Sequence, residues 1–277
     1  MFVLRQCLTL GTKSSIRNFS ATTNLVNLTI NEDTGVAIME LNKPPVNSLN
    51  YELLEAMHRT LVKLENEKCP GMILTSSSRS TFSAGLDLLE MYKPTVDKAR
   101  RFWSMLQNTW IKLYSTPYPT VAAINGHSPA GGCLLAMSCE HRIMVPDKMI
   151  GLNETQLGIV APQWFQDCMR NIIGERQAEK ALIAGRMFTS EEALKIGLVD
   201  ELATDKEDLM QKAHDFLDEQ MGLPPLARSV VKVGFRKDTL SKLINGREAD
   251  IKMFLDNVFQ PKVQESLENY IQMLKKK

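Results

Sequence analysis

The stretch from Asn125 to Glu154 holds the residue types best suited to chemistry. It opens on Asn125-Gly126, runs through Pro129-Ala130-Gly131-Gly132 and the apolar Cys133-Leu134-Leu135-Ala136-Met137, and closes on Gly151-Leu152-Asn153-Glu154. The run Val121-Ala122-Ala123-Ile124 before it reads as a short buried strand. Glycines after a strand leave backbone N–H groups uncovered, and a helix opening at once adds its positive end, which together make an anion-binding device. Past a further strand expected at His141-Arg142-Ile143-Met144-Val145, a single carboxylate, Glu154, stands between Asn153 and Thr155. The combination implies a loop that steadies negative charge as it develops and a carboxylate that moves a proton beside it.

The elements that must position these groups follow from periodicity. Leu25-Val26-Asn27-Leu28-Thr29-Ile30 alternates as a strand, Asp33-Thr34-Gly35 turns it, and Val36-Ala37-Ile38-Met39-Glu40-Leu41 returns as its hairpin partner. Asn50 caps a helix whose Leu54, Met57, Leu61 and Leu64 share one face, and Pro70-Gly71 stops it. Met72-Ile73-Leu74-Thr75 is a second buried strand, leading into Phe82-Ser83-Ala84-Gly85-Leu86-Asp87-Leu88. A helix over Val96–Tyr114 ends at Pro117 and Pro119. Strand, glycine-bearing loop and helix thus occur twice, which points to an α/β fold with binding loops at strand ends. After Glu154 the pattern is almost wholly helical: 164–173, 178–183 and 190–196 with Gly197 as stop, then helices from Lys206 onward, broken at Pro224-Pro225, Gly246 and Pro261.

Composition narrows the function classes. The chain has 277 residues, 33 Lys+Arg against 32 Asp+Glu, and 44% hydrophobic residues, an ordinary globular balance. No run reaches the roughly 18–20 apolar residues of a membrane helix. The five cysteines include no C-x-x-C pair, which disfavours a disulfide framework or zinc site and fits a reducing compartment. Residues 1–31 lack Asp and Glu but hold Arg5, Lys13 and Arg17 among many Ser, Thr and apolar residues, the signature of a mitochondrial leader, with removal expected near Arg17-Asn18-Phe19-Ser20. Its loss leaves the mature chain slightly acidic, so no general attraction to nucleic acid is implied. His58, His127, His141 and His214 show no metal-ligand spacing, so no metal is expected; His127 alone lies in the key loop, where it could line the pocket.

Several motifs in order resemble a known family. Phe82-Ser83-Ala84-Gly85-Leu86-Asp87-Leu88, then Ala123-Ile124-Asn125-Gly126 with Ala130-Gly131-Gly132-Cys133, are similar to the two signatures of the crotonase (enoyl-CoA hydratase/isomerase) superfamily, and 181–186 and 193–200 resemble its downstream segment. The resemblance implies a spiral of ββα units with a C-terminal helical trimerisation region. The chain then divides into a transit peptide at 1–23, a spiral core with the active site at 24–200, and a helical oligomerisation region at 201–277. The ligand implied is an acyl-CoA thioester, which is the substrate itself, with no separate cofactor.

A thioester's α-proton is weakly acidic, so removing it takes a base and donors for the enolate oxygen; one such donor is typically worth about 3–4 kcal/mol. By resemblance the donors are the N–H groups of Leu86 and Gly131, the base is Glu154, and the backbone of Ala84, Gly85, Leu86, Asp87 and Leu88 meets the CoA. Asp87 fits equally a first-turn acid favoured by a helix dipole. Asn153 either orients substrate and base or serves as a turn former. Neither Ser83 nor Ser128 sits in a G-x-S-x-G elbow. Family hydratases use two glutamates, and the first falls at Leu134, which can neither position nor activate water. The expectation is therefore isomerisation: Glu154 moves a proton from C2 to C4 of a 3-cis- or 3-trans-enoyl-CoA and gives the 2-trans isomer, serving β-oxidation in the mitochondrial matrix. The alternatives are a hydratase or hydrolase of the same family, and RNA binding through Lys93, Lys98, Arg100, Arg101 and Lys112. Trp164, Phe165 and Met169 at helical spacing fit a core or one end of an acyl tunnel.

Overall fold

The computed structural model describes residues 16–19 and 25–275. The expected leader, 1–23, lies outside the described residues apart from Ile16–Phe19. That segment is strand β1, antiparallel to β2 (Val26–Asn31), which pairs with β3 (Ala37–Leu41) in the expected hairpin. Helix α1 (Tyr51–Asn66) begins where expected because the Asn50 side chain accepts a hydrogen bond from the Leu53 amide, and it buries Leu53, Leu54, Met57, Leu61 and Leu64. Strand β4 (Met72–Ser76), helix α2 (Val96–Tyr114) and strand β5 (Thr120–Ile124) follow. A two-residue strand β6 (Ser128–Pro129) leads to helix α3 (Gly131–Ser138), then come β7 (His141–Met144) and β8 (Met149–Gly151).

The main sheet runs β1-β2-β3-β4-β5-β7 and ends on β10 (Glu201–Leu202), with every pair from β3 onward parallel. Every residue of β4 and β5 is buried, which is why both read as continuous apolar runs rather than alternating ones. Helices α1, α2 and α3 pack their apolar residues with one side of the sheet into a single core containing Phe82, Phe102, Trp110 and Phe165. The opposite face carries Ile73, Val121 and Ile143 against Leu209, Ala213 and Leu217 of α7 (Lys206–Met221).

The region after Glu154 departs from the all-helical expectation. Helices α4 (Gln163–Ile173) and α5 (Glu175–Ala184) are present, but β9 (Phe188–Thr189) then pairs with β8, and β8 with β6, in a second, three-stranded sheet. Thr189 and Glu192 form a capping box that starts α6 (Ser190–Lys195). The expected break at Gly246 does not occur: α8 runs unbroken over Pro225–Val258 before α9 (Pro261–Lys275). Gly246 has open space around its Cα, so it loses helix propensity, about 1 kcal/mol, without meeting a clash.

Candidate active site

Both glycine-bearing loops leave the carboxyl ends of adjacent parallel strands, β4 and β5, the usual place for a site in such a sheet. They are zipped together by local bonds: the His127 amide donates to the Ser80 carbonyl and the Phe82 amide to the His127 carbonyl, each at 2.9 Å. Asn125 Nδ2 donates to the Ser76 and Ser78 carbonyls at 2.8 and 2.9 Å.

The first loop is held from behind by a segment that sequence reasoning missed, Val46 to Leu49. The Ala84 amide donates to the Val46 carbonyl, the Leu49 amide to the Gly85 carbonyl and the Asp87 amide to the Leu49 carbonyl. Ser83 Oγ donates to the Asn47 carbonyl and accepts from the Gly85 amide. Ala84, Gly85 and Asp87 therefore all use their amide hydrogens internally. In the parallel bridge between Leu49 and Leu86, both bonds of Leu49 go to the flanking Gly85 and Asp87, so the bridge leaves the Leu86 N–H unused.

Asp87 caps the 3₁₀ turn Leu88–Glu90 through the Leu89 amide and also meets Lys43 Nζ at 3.1 Å and Ser48 Oγ at 3.0 Å. Burial alone would raise its carboxyl, but the bonds from Lys43, the Leu89 amide and Ser48 outweigh burial and hold it below its usual range. That is the structural role open to it from sequence, with Lys43 and Ser48 as added partners.

Gly131 opens α3, so its N–H has no acceptor inside the helix. The two loops touch at this point. A methyl group placed on Gly131 would lie 3.2 Å from Leu86 Cδ2 and 3.3 Å from Gly85 Cα. One placed on Gly85, whose φ is +86°, would lie 3.0 Å from the Gly131 nitrogen. Leu86 and Gly131 are therefore brought side by side. Ala130, just before, holds φ +49° without being glycine, local strain of the kind found at functional sites. Its amide donates to the Gly151 carbonyl at 2.8 Å, and β6 pairs with β8, so the loop is tied directly to the segment that carries Glu154.

Glu154 starts the 3₁₀ turn Glu154–Leu157 and is only 6% exposed. Its Oε2 is buried without a hydrogen-bond partner. Burial pushes the carboxyl up from 4.5 to about 7, with its own backbone amide opposing the rise. A cavity of about 200 Å³ lies against it, lined further by Leu152, Thr155, Val160, Ala161, Gln166 and Leu182 among others. No other carboxylate lines that cavity among the described residues. Leu134 is fully buried in α3, and the Asn153 Oδ1 is, like Glu154 Oε2, buried and unpartnered. A lone carboxylate poised near neutrality can accept and return a proton without a cation to hold it ionised.

Other expected participants sit elsewhere. Trp164, Phe165 and Met169 are buried in the core and do not line the Glu154 cavity; Trp164 Nε1 donates to Asp250 at 3.2 Å, a carboxylate that also takes Trp103 and Gln107. His127 Nδ1 accepts from the Met149 amide at 3.1 Å. The basic residues weighed for RNA binding are engaged: Lys93 with Glu268, Lys98 with Glu90, Arg100 with Glu248, Lys112 with Glu65, and Arg101 over the Tyr51 ring. No cluster of three or more His, Cys, Asp or Glu able to hold a metal occurs among the described residues.

Known proteins resemble this chain in sequence and fold. Mouse enoyl-CoA delta isomerase 1, mitochondrial, is 46% identical over 246 residues, which cover 88% of this chain and 85% of the mouse protein. The human protein of that name is 43% identical over 87% of this chain and 80% of its own length. The crystal structure of human mitochondrial delta3-delta2-enoyl-CoA isomerase superposes with a TM-score of 0.89 at 42% identity, covering 91% of this chain and 98% of that one. An enoyl-CoA hydratase from Bacillus halodurans shares the fold, with a TM-score of 0.81 at 24% identity over 88% and 99% of the two chains. The enoyl-CoA hydratase/isomerase family model matches residues 31–277, and the chain belongs to that family, with its spiral α/β fold and C-terminal helices.

Proposed function

We infer that the chain is an enzyme of fatty acid oxidation, an isomerase that converts 3-cis- or 3-trans-enoyl-CoA to 2-trans-enoyl-CoA. The observation that carries this is the solitary Glu154, buried and unpartnered, with leucine at position 134 where a hydratase of the family has its other acid. The Glu154 carboxylate takes the C2 proton, and the C–H electron pair flows into the thioester as an enolate. The enolate oxygen is held by the N–H groups of Leu86 and Gly131, on loops that touch where Gly85 meets Gly131. The enolate then collapses: the carbonyl re-forms, the C1–C2 pair moves to C2–C3, and the C3–C4 π pair takes the proton from Glu154 at C4, so nothing is gained or lost overall. Asn153, with a buried unpartnered amide oxygen beside the base, orients substrate or base. The CoA lies along Ala84 to Leu88, its contacts drawn from carbonyls and side chains, since most amides there are already engaged.

The reaction needs no cofactor beyond the acyl-CoA substrate. The chain acts in mitochondria, and we place it in the matrix, delivered by residues 1–23 as a transit peptide. Residues 24–200 form the catalytic core, and 201–277 drive assembly into a homotrimer, a role supported by Val230, Val231 and Phe235 lying exposed along α8. Assaying isomerisation of a 3-enoyl-CoA beside hydration of a 2-trans-enoyl-CoA tests the reaction. Isomerisation is expected to dominate, and hydration at a comparable rate would overturn the role given to Leu134.

A further inference from the structure

A second cavity lies at the opposite ends of the same strands. It has a volume of about 490 Å³, inside the range of roughly 300–1,000 Å³ typical of small-molecule sites. Pro70 and Pro119, just ahead of β4 and β5, form part of its wall, together with Pro117, Met221, Leu223 and Leu226. It is therefore separated from the Glu154 cavity by the length of the parallel strands. Leu223 and Leu226, where α7 gives way to α8, are 48% and 80% exposed at its mouth.

Two polar atoms with nothing to bond lie just beneath its floor. Tyr118 and Arg228 both line the cavity, and Tyr118 Oη and Arg228 Nη1 are buried without a partner. Buried donors are ordinarily satisfied, so a pair of orphans in one cavity calls for an acceptor. The charge behind the floor has the matching sign. Glu140 faces Arg228 and, at 3.2 Å, Lys232, while Arg236 donates to the carbonyls of Tyr114, Ser138 and Cys139 nearby. Burial pushes the Lys232 ammonium down to about 7, yet without it two guanidiniums still face one carboxylate. At the rim Glu65 is neutralised by Lys112 at 2.7 Å, and Lys68 adds a further base.

We propose that this cavity binds an aliphatic monocarboxylate, a free fatty acid of medium length, at a site distinct from that of the acyl-CoA. The carboxylate accepts from Arg228 Nη1 and Tyr118 Oη once the Met221 side chain and Gln220, whose Oε1 accepts from Arg228 Nε at 3.1 Å, swing aside, and the tail lies along the proline and leucine wall toward the mouth. Charge-assisted bonds to a guanidinium select the acid over an alcohol of the same length, and the apolar wall selects it over a short acid.

Calorimetric titration of the full chain with decanoate, decanol and acetate tests this, in the presence of saturating acyl-CoA so that the Glu154 cavity is filled. Decanoate is expected to bind at one site per chain, and decanol and acetate at least tenfold more weakly. Tyr118→Phe, which removes only the hydroxyl, should weaken decanoate severalfold, and Leu226→Glu, at an exposed position, at least tenfold, with isomerisation unchanged in both. Absence of saturable binding, binding indifferent to both substitutions, or a change of oligomeric state on Leu226→Glu in size-exclusion chromatography would overturn the proposal; the last would mean that a second copy of the chain covers the mouth.

Discussion

Replacing Glu154 by Gln removes the proposed base and keeps its shape, and the structure sets both consequences. Burial raises the carboxyl from 4.5 to about 7. A raised acid contributes most to stability below its unfolded pKa and loses that contribution as pH rises through its folded pKa. Below pH 4.5 folded and unfolded chains both carry the proton. Between 4.5 and about 7 the folded chain retains a proton that the unfolded chain has released, and stability falls with pH. Above 7 the buried carboxylate costs about 3 kcal/mol, at about 1.4 kcal/mol per pKa unit. Glutamine has no charge to bury, so Glu154→Gln should be more stable than the parent at pH 8 by up to about that amount. In a domain of this size each kcal/mol corresponds to roughly 2–4 °C in Tm. The gain should shrink toward zero as pH is lowered to 4.5. Isomerisation should fall by about 10²–10⁴, as expected when a general base is lost. In the parent, kcat/KM should climb through pH about 7 as the base ionises. Calorimetric melting across pH and initial rates with a 3-enoyl-CoA give both readouts. A variant with activity within tenfold of the parent, or one no more stable at pH 8, would refute the reasoning.

Three further outcomes are expected. Leu134→Glu puts a second carboxylate where none exists; hydration of 2-trans-enoyl-CoA should become measurable by loss of enoyl absorbance, while thermal melting shows a loss of several kcal/mol from an unpaired buried charge. Gly85→Ala places a methyl 2.9 Å from Ala130 Cβ at φ +86°, which should wedge the two loops apart, lowering kcat by about 10²–10³ and stability by about 1–3 kcal/mol. Thr189→Ala removes half of the capping box at α6 and should cost about 1 kcal/mol in denaturant unfolding without altering the isomerase rate.

Much of the scaffold was legible because it repeats. The hairpin of β2 and β3, the faces of α1 and α2, and the buried runs of β4 and β5 each carry a periodicity or an apolar block long enough to recognise. Glu154 stood out through its place in the family motif, within a segment of apolar residues and amides. What escaped was short or non-local. Strands β6, β8 and β9 have two or three residues each, below any pattern window, and exist only because they find one another. The clasp of Val46–Leu49 on the first loop, and the partnership of Lys43 and Ser48 with Asp87, join residues some 40 positions apart through single bonds that leave no periodic trace. Gly246 misled for the opposite reason: a local breaker was overruled by the flanking turns of the long helix, which bury Leu243 and Ile251.

The three-stranded sheet of β6, β8 and β9 divides labour between two supports. Leu86 hangs from the large sheet, whereas the acid is suspended from the small one and tethered to its neighbour through Ala130 and Gly151. Substitutions in the turn beyond Gly151 can therefore retune the polarity around the acid while the contact between the two glycine-bearing loops keeps its shape. Descendants of one scaffold can in this way trade one acyl-thioester reaction for another by editing a few positions on a single hanging loop.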